Sequence, residues 1–193
     1  MNDAVVIRAF IAVELAPSII QNIDAAIDRL RPRLTNVRWV APGNIHLTVK
    51  FLGDIPESQV DDLVAALTPV VRPFPRCTIN AKGLGVFLDV KRPRIIWVGL
   101  ASDALVALAA KVQACLLPLG FEPEKRSFTP HLTIGRWRQS DRAPKDLPVA
   151  LANWRSVDFG QSEVNEIVLF QSILKPQGAE YRKLKVIQLG SQP

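Results

Sequence analysis

The same order of segments occurs twice in this chain, and that repetition limits its fold more than any other feature. Each half reads as a strand, an amphipathic helix, a loop and a second strand that opens on His-Leu-Thr and a β-branched residue. These strands begin at His46 and His131, 85 residues apart, and they hold the only two histidines in the chain. In the first half the β-branched and aromatic run 5–15 predicts a strand. Pro17, suited to a first helical turn, then opens a helix over 17–30, with Ile19, Ile20, Ile23, Ile27 and Leu30 at helical spacing. A short extended piece over 37–40 precedes the His46 strand, and a helix over 56–71 puts Val60, Leu63, Val64 and Leu67 on one face. The second half repeats the order: a strand over 93–100, a helix capped by Ser102, a basic loop over 121–130 and the His131 strand. Two copies of so long a unit do not make a solenoid, so an internal duplication with two related lobes is expected. Residues 139–158 read as a polar, Pro-containing connector, and strands over 163–174 and 181–190, joined by a turn over 175–180, close the chain.

Composition narrows the class. At 193 residues, with 48% hydrophobic and 22% charged residues, the chain can bury one core or two small lobes sharing an interface. Its net charge of +6 favours a polyanionic partner such as nucleic acid. Cys77 and Cys115 lie in apolar surroundings without C-x-x-C spacing, which predicts small buried hydrophobes and a reducing compartment. The first apolar run lacks a basic leader and is interrupted by Arg8 and Glu14, so it predicts a strand rather than a signal peptide. No apolar run approaches the ~20 residues of a membrane span. A cytoplasmic protein is expected.

Alternate residues of a strand share a face, so His46 is expected beside Thr48 and His131 beside Thr133, with Leu47, Val49, Leu132 and Ile134 turned to the core. Related halves facing each other would bring two imidazoles and two hydroxyls into one cleft. Such a pair can act as general base and general acid on opposite sides of a phosphate ester, while the hydroxyls donate to its non-bridging oxygens. Two histidines with no neighbouring cysteine or carboxylate cluster do not make a zinc or di-metal site, so no metal is expected. A G-x-S-x-G word is missing too, which sets aside a serine hydrolase. One His-Leu-Thr strand alone would read as structural. Recurrence of the only two histidines in the same pattern argues for chemistry instead.

The words "HLTVKFLGD" and "PHLTIGR", with "RAFIAVEL", "WVAPGNIHLTVKFLGDIPE", "RPRIIWVGL" and "LFQSILKPQGAEY", resemble the two-histidine phosphoesterase superfamily and its RNA 2′,3′-cyclic phosphodiesterase branch, formerly called 2′-5′ RNA ligase. The resemblance covers most of the chain. It implies an α+β fold over residues 1–193 as a single bilobal domain, its duplicated halves related by a pseudo-twofold axis, with antiparallel sheets, helices packed on them and the active-site cleft between the lobes. It also implies hydrolysis of RNA 2′,3′-cyclic phosphate ends to 2′-phosphomonoesters without a cofactor, by a monomer. His46 would protonate the leaving 3′-oxygen, His131 would activate water, and Thr48 and Thr133 would hold the phosphate. The residues themselves leave the division of roles between the histidines open.

Four further positions are candidates for binding substrate. Arg136 matches an arginine that follows the family's second motif; strict alternation turns it away from His131 unless Gly135, where the family often has a side chain, permits a bulge. Lys50 shares the His46 face by alternation, as a phosphate ligand or a solvated lysine. Phe51 and Phe128 are each a stacking surface for a base or part of the core. The basic stretches 90–94 and 124–128 would steer RNA or simply be solvated. Two alternatives stand beside this reading: a phosphodiesterase or ligase acting on 2′-5′ linkages or small nucleotides, and a non-catalytic RNA- or nucleotide-binding module. Retention of both histidines and both threonines speaks against the module, since arginine or lysine would serve simple phosphate binding better.

Overall fold

The computed structural model describes residues 5–176 and 178–190. Strand β1 (Val6–Val13) leads into α1 (Pro17–Leu30), which turns Ile19, Ile23, Ala26, Ile27 and Leu30 inward as its spacing requires. The two-residue β2 (Arg38–Trp39) precedes β3 (Leu47–Pro56). Because Val6 still pairs with Pro56 and the Glu57 amide donates to the Val5 carbonyl, the strand outlasts the expected helix start. Helix α2 therefore covers only Val60–Val71, after a 3₁₀ turn over Glu57–Gln59. Strands β4 (Cys77–Phe87) and β5 (Ile95–Ala101) follow, then α3 (Asp103–Leu116), whose N-cap Ser102 accepts from the Leu105 amide. Strand β6 (His131–Arg136), helix α4 (Leu147–Trp154) and strands β7 (Asp158–Val164), β8 (Glu166–Lys175) and β9 (Gly178–Gln188) complete the order. Of the turn expected over 175–180, Gln177 lies outside the described residues.

The strands form one antiparallel sheet in the order β7-β4-β5-β6-β3-β1-β8-β9, with β2 added to β6. At its middle the two motif strands β3 and β6 share one residue pair, Leu47 with Leu132. Four strands lie on either side of that joint, which is the expected two-lobe duplication. The lobes are interlaced. Strand β4, from the first half of the chain, pairs with β5 in the second lobe, whereas β8 and β9, from the second half, complete the sheet beside β1. The helices cross as well: α1 packs on β7, and α3 packs on β3. Helices and inward strand residues enclose one continuous apolar core. On the other face of the first lobe, Phe10, Ala12, Val168 and Phe170 form a smaller cluster with Tyr181 against it.

Candidate active site

A bulge after each His-Leu-Thr motif decides which side chains share the face of the sheet that carries the histidines. In the pairing of β3 with β1, Thr48 lies opposite Ala12, Lys50 opposite Ile11 and Phe51 opposite Phe10, so Val49 is the extra residue. Ala12 and Phe10 belong to the small cluster and Ile11 to the main core, so Thr48 and Phe51 share one face and Lys50 takes the other. Strand β6 repeats the device against β5. Thr133 lies opposite Trp97, Gly135 opposite the buried Ile96 and Arg136 opposite Ile95, with Ile134 the extra residue. The fifth residue after each histidine is thereby moved onto the histidine face: Phe51 in one lobe, Arg136 in the other.

Gly135 is required by what covers it. A Cβ there would stand 2.5 Å from Val37 Cγ1, 3.0 Å from Ile96 Cγ2 and 3.2 Å from Trp39 Cε3. The short strand β2 sits on this position, pairing Trp39 with Gly135 and Arg38 with Arg136.

Both imidazoles are held the same way. His46 Nδ1 donates to the Asn44 carbonyl at 2.9 Å, and His131 Nδ1 donates to the Thr129 carbonyl at 2.7 Å, each acceptor two residues upstream. A carbonyl can only accept, so the neutral rings carry their proton on Nδ1 and keep Nε2 as the working nitrogen. Thr48 Oγ1 lies 3.1 Å from His46 Nε2 and donates to it when the ring is neutral. The Asn44 side chain donates in turn to the Ala179 carbonyl at 2.7 Å, tying the first histidine's support to β9. Aromatic walls set the ring planes: His46 stacks on Phe10 at 4.9 Å and meets the edge of Tyr181 at 5.2 Å, and His131 stands at 90° to Phe87 at 4.6 Å.

Burial pushes the pKa of both histidines below the ordinary value of 6.5. Their bonds to Asn44 and Thr129 oppose that shift, and the Arg136 guanidinium lowers both further. One cation thus acts on the two rings from a shared position. Glu14 acts on His46, favouring its charged form.

Of the remaining expected residues, Thr133 takes the histidine face beside Trp97. Lys50 does not take it, because the bulge reverses the alternation. It is 5% exposed, and its ammonium donates to the Glu122 carbonyl and pairs with the Glu124 carboxylate at 3.6 Å, both in the loop that leads to His131. Phe51 is 60% exposed and outside the core, its ring 6.3 Å from that of Phe10. Phe128 is half-buried, packs against the core and lines a groove along α3 with residues of the 123–127 loop. Cys77 and Cys115 are free thiols, only partly buried. Among the described residues no group of three or more His, Cys, Asp or Glu converges on one point. Nor, among them, is any helix long and apolar enough to cross a membrane. Sequence reasoning missed Arg38, Phe10, Phe87 and Tyr181. Their places depend on pairing register, which no local pattern reveals.

The family model described as "LigT like Phosphoesterase" matches residues 13–97 and again 98–181, one match for each motif. The chain belongs to this family. Curated LigT-like relatives named RNA 2′,3′-cyclic phosphodiesterase include one from Aquifex aeolicus, 36% identical over 96% of this chain and 98% of its own. Another, from Archaeoglobus fulgidus, is 33% identical over 94% and 99%. Among solved structures, TT0787 of Thermus thermophilus superposes with a TM-score of 0.79 at 26% identity, covering 94% of this chain and 97% of that one. Escherichia coli LigT complexed with 3′-AMP superposes at 0.76 with 24% identity over 96% and 99%, a likeness of fold. The double match of the LigT-like family model and the interlaced sheet describe the same duplication, once in sequence and once in space.

Proposed function

We propose that this protein hydrolyses the 2′,3′-cyclic phosphate at the end of an RNA strand to a 2′-phosphomonoester, moving protons with His46 and His131 and using no metal or other cofactor. One observation carries the reading: both Nδ1 atoms are spent on main-chain carbonyls, so two Nε2 atoms from opposite lobes serve one face under the influence of one arginine. The curated relatives' names support the substrate, an RNA end.

The reaction is an in-line displacement. His131 Nε2 takes a proton from water as the water oxygen bonds to phosphorus; the bond from phosphorus to O3′ breaks on the far side, and His46 Nε2–H gives its proton to O3′. A 2′-phosphate and a free 3′-hydroxyl result, and solvent resets both rings. Thr48, Thr133 and Arg136 hold the non-bridging oxygens as charge grows on them. The exposed ring of Phe51 offers the terminal base a stacking surface. Glu14 suits His46 to the donor role, since it favours the imidazolium there. A bound phosphate also offsets the charge of Arg136, removing that cation's smaller share in the depression of both histidines, which burial mainly causes, and so favouring a proton on the donor. The protein acts as a cytoplasmic monomer in this reading.

The test is to incubate the protein with an oligoribonucleotide ending in a 2′,3′-cyclic phosphate in excess EDTA and locate the product phosphate by ³¹P NMR. A 2′-phosphate is expected. A 3′-phosphate would mean that the other ester bond breaks, and activity restored only by a divalent ion would remove the two-histidine mechanism. Tight binding without turnover would make the cleft a recognition module.

A further inference from the structure

Arg38 and Arg136 lie directly opposite each other in the antiparallel pairing of β2 with β6. Opposed residues project to the same side of a sheet, so Arg38 shares the histidine face that the bulge gives to Arg136. Both are exposed, and neither belongs to any of the ion pairs among the described residues. Like charges placed directly opposite in a sheet are destabilising unless something of opposite charge lies between them. Among the described residues no carboxylate is paired with either guanidinium. β2 is fixed from the other side by Trp39 over Gly135, so Arg38 cannot retreat without losing that contact.

We infer that Arg38 binds the phosphodiester immediately 5′ of the terminal nucleotide, making this a site for RNA chains rather than for mononucleotide 2′,3′-cyclic phosphates. The inference rests on the proposed function and deepens it. Arg136 is committed to the reacting phosphate, and facing residues of an antiparallel pair have Cα atoms only ~5 Å apart. A second guanidinium at that spacing matches a second anion on the same strand. The next backbone phosphate is the one such anion that an RNA end always carries and a cyclic mononucleotide lacks. The sheet sets the polarity, with the terminal ring towards Phe51 and the chain leaving across β6 and β2.

The experiment measures kcat/KM for a cyclic mononucleotide, for a dinucleotide with the same cyclic end, and for that dinucleotide with an uncharged methylphosphonate linkage, using wild type and Arg38→Gln. The wild type is expected to prefer the charged dinucleotide by about tenfold or more, the usual value of one charge-assisted contact. Arg38→Gln should collapse that preference, as should the methylphosphonate in the wild type, and the two changes together should do little more than either alone. The salt dependence on the dinucleotide should become shallower by about one charge in the variant. A wild type that treats the mononucleotide and both dinucleotides alike would overturn the inference and leave the proposed function standing. A variant slowed equally on all three would overturn it too, placing Arg38 at the reacting phosphate or in the fold. Failure of wild type on every cyclic substrate would remove the proposed function and the inference with it.

Discussion

Lys50→Met separates two accounts of the lysine that follows the first motif. The side chain is 5% exposed, and its ammonium holds the Glu122 carbonyl and Glu124. A hydrogen bond from a charged group contributes roughly 1.5–3 kcal/mol. The pair with Glu124, itself 47% exposed, adds at most a few tenths, as screened pairs do. Methionine fills similar volume without a buried charge, and the freed carbonyl belongs to an exposed loop residue that water can reach. A net loss of about 2 kcal/mol follows, which in a domain of this size lowers Tm by roughly 4–8 °C. The loop released by the change carries Thr129, whose carbonyl orients His131. Turnover should therefore fall in kcat with KM and salt dependence nearly constant. Differential scanning calorimetry and steady-state kinetics at two ionic strengths would check this. An unchanged Tm with a raised KM and a shallower salt slope would refute the reasoning and return Lys50 to the phosphate.

Other perturbations address the motifs directly. His46→Ala and His131→Ala should each lower turnover by roughly 10² to 10⁴-fold, the double variant being little worse than the worse single one; near-normal rates in either would dismiss the acid–base pair. A nitrophenyl diester, whose leaving group needs no proton, should rescue His46→Ala and leave His131→Ala slow, and the opposite pattern would exchange the roles. Because both histidines are depressed from 6.5, the kcat/KM profile should be bell-shaped with its maximum below that pH, and an alkaline maximum in the free enzyme would contradict the cleft's electrostatics. The same depression means that the folded protein binds fewer protons than the unfolded chain near these pKa values. Stability should thus be full above pH ~6.5 and decline as pH falls through the folded values, a slope that replacing both histidines with Gln should reduce in urea titrations. Gly135→Ala drives a methyl against Val37, Ile96 and Trp39 and should cost about 1–3 kcal/mol while displacing Arg136; a variant with normal stability and activity would show that the bulge does not depend on glycine.

How much could be read from the sequence varied with how local the cause was. Helices α1 and α3 announced themselves by apolar spacing, Pro17 and Ser102, all contained within one segment. Strand β4 did not, because Gly83, at φ 73°, and the bulge between Lys82 and Leu84 break its alternation. β7 and α4 hid in what read as a polar connector, since α4 buries only Leu147 and Ala150 and β7 is recognisable only through its pairing with β4. At the site the histidines and threonines follow from period-two alternation. Beyond them alternation misleads: one extra residue exchanges the faces of Lys50 and Phe51 and recovers Arg136. Bulges are decided by the neighbouring strand, and Arg38 becomes visible only when β2 is laid beside β6.

The exchange of strands between the lobes bears on how this cleft can behave as a machine. A cut in the 88–94 connection would give two pieces, each carrying β-sheet edges whose partners left with the other piece. Neither is self-sufficient, yet each is the other's template. The same weave denies the protein a simple jaw: the lobes cannot swing apart about Leu47 and Leu132 without dragging α1 and α3 out of the sheets they cross to reach. Substrate must come to a frame of set width. Selection by size is then built into the topology, and adaptation to a new ligand has to proceed by trimming side chains at the rim rather than by loosening a joint.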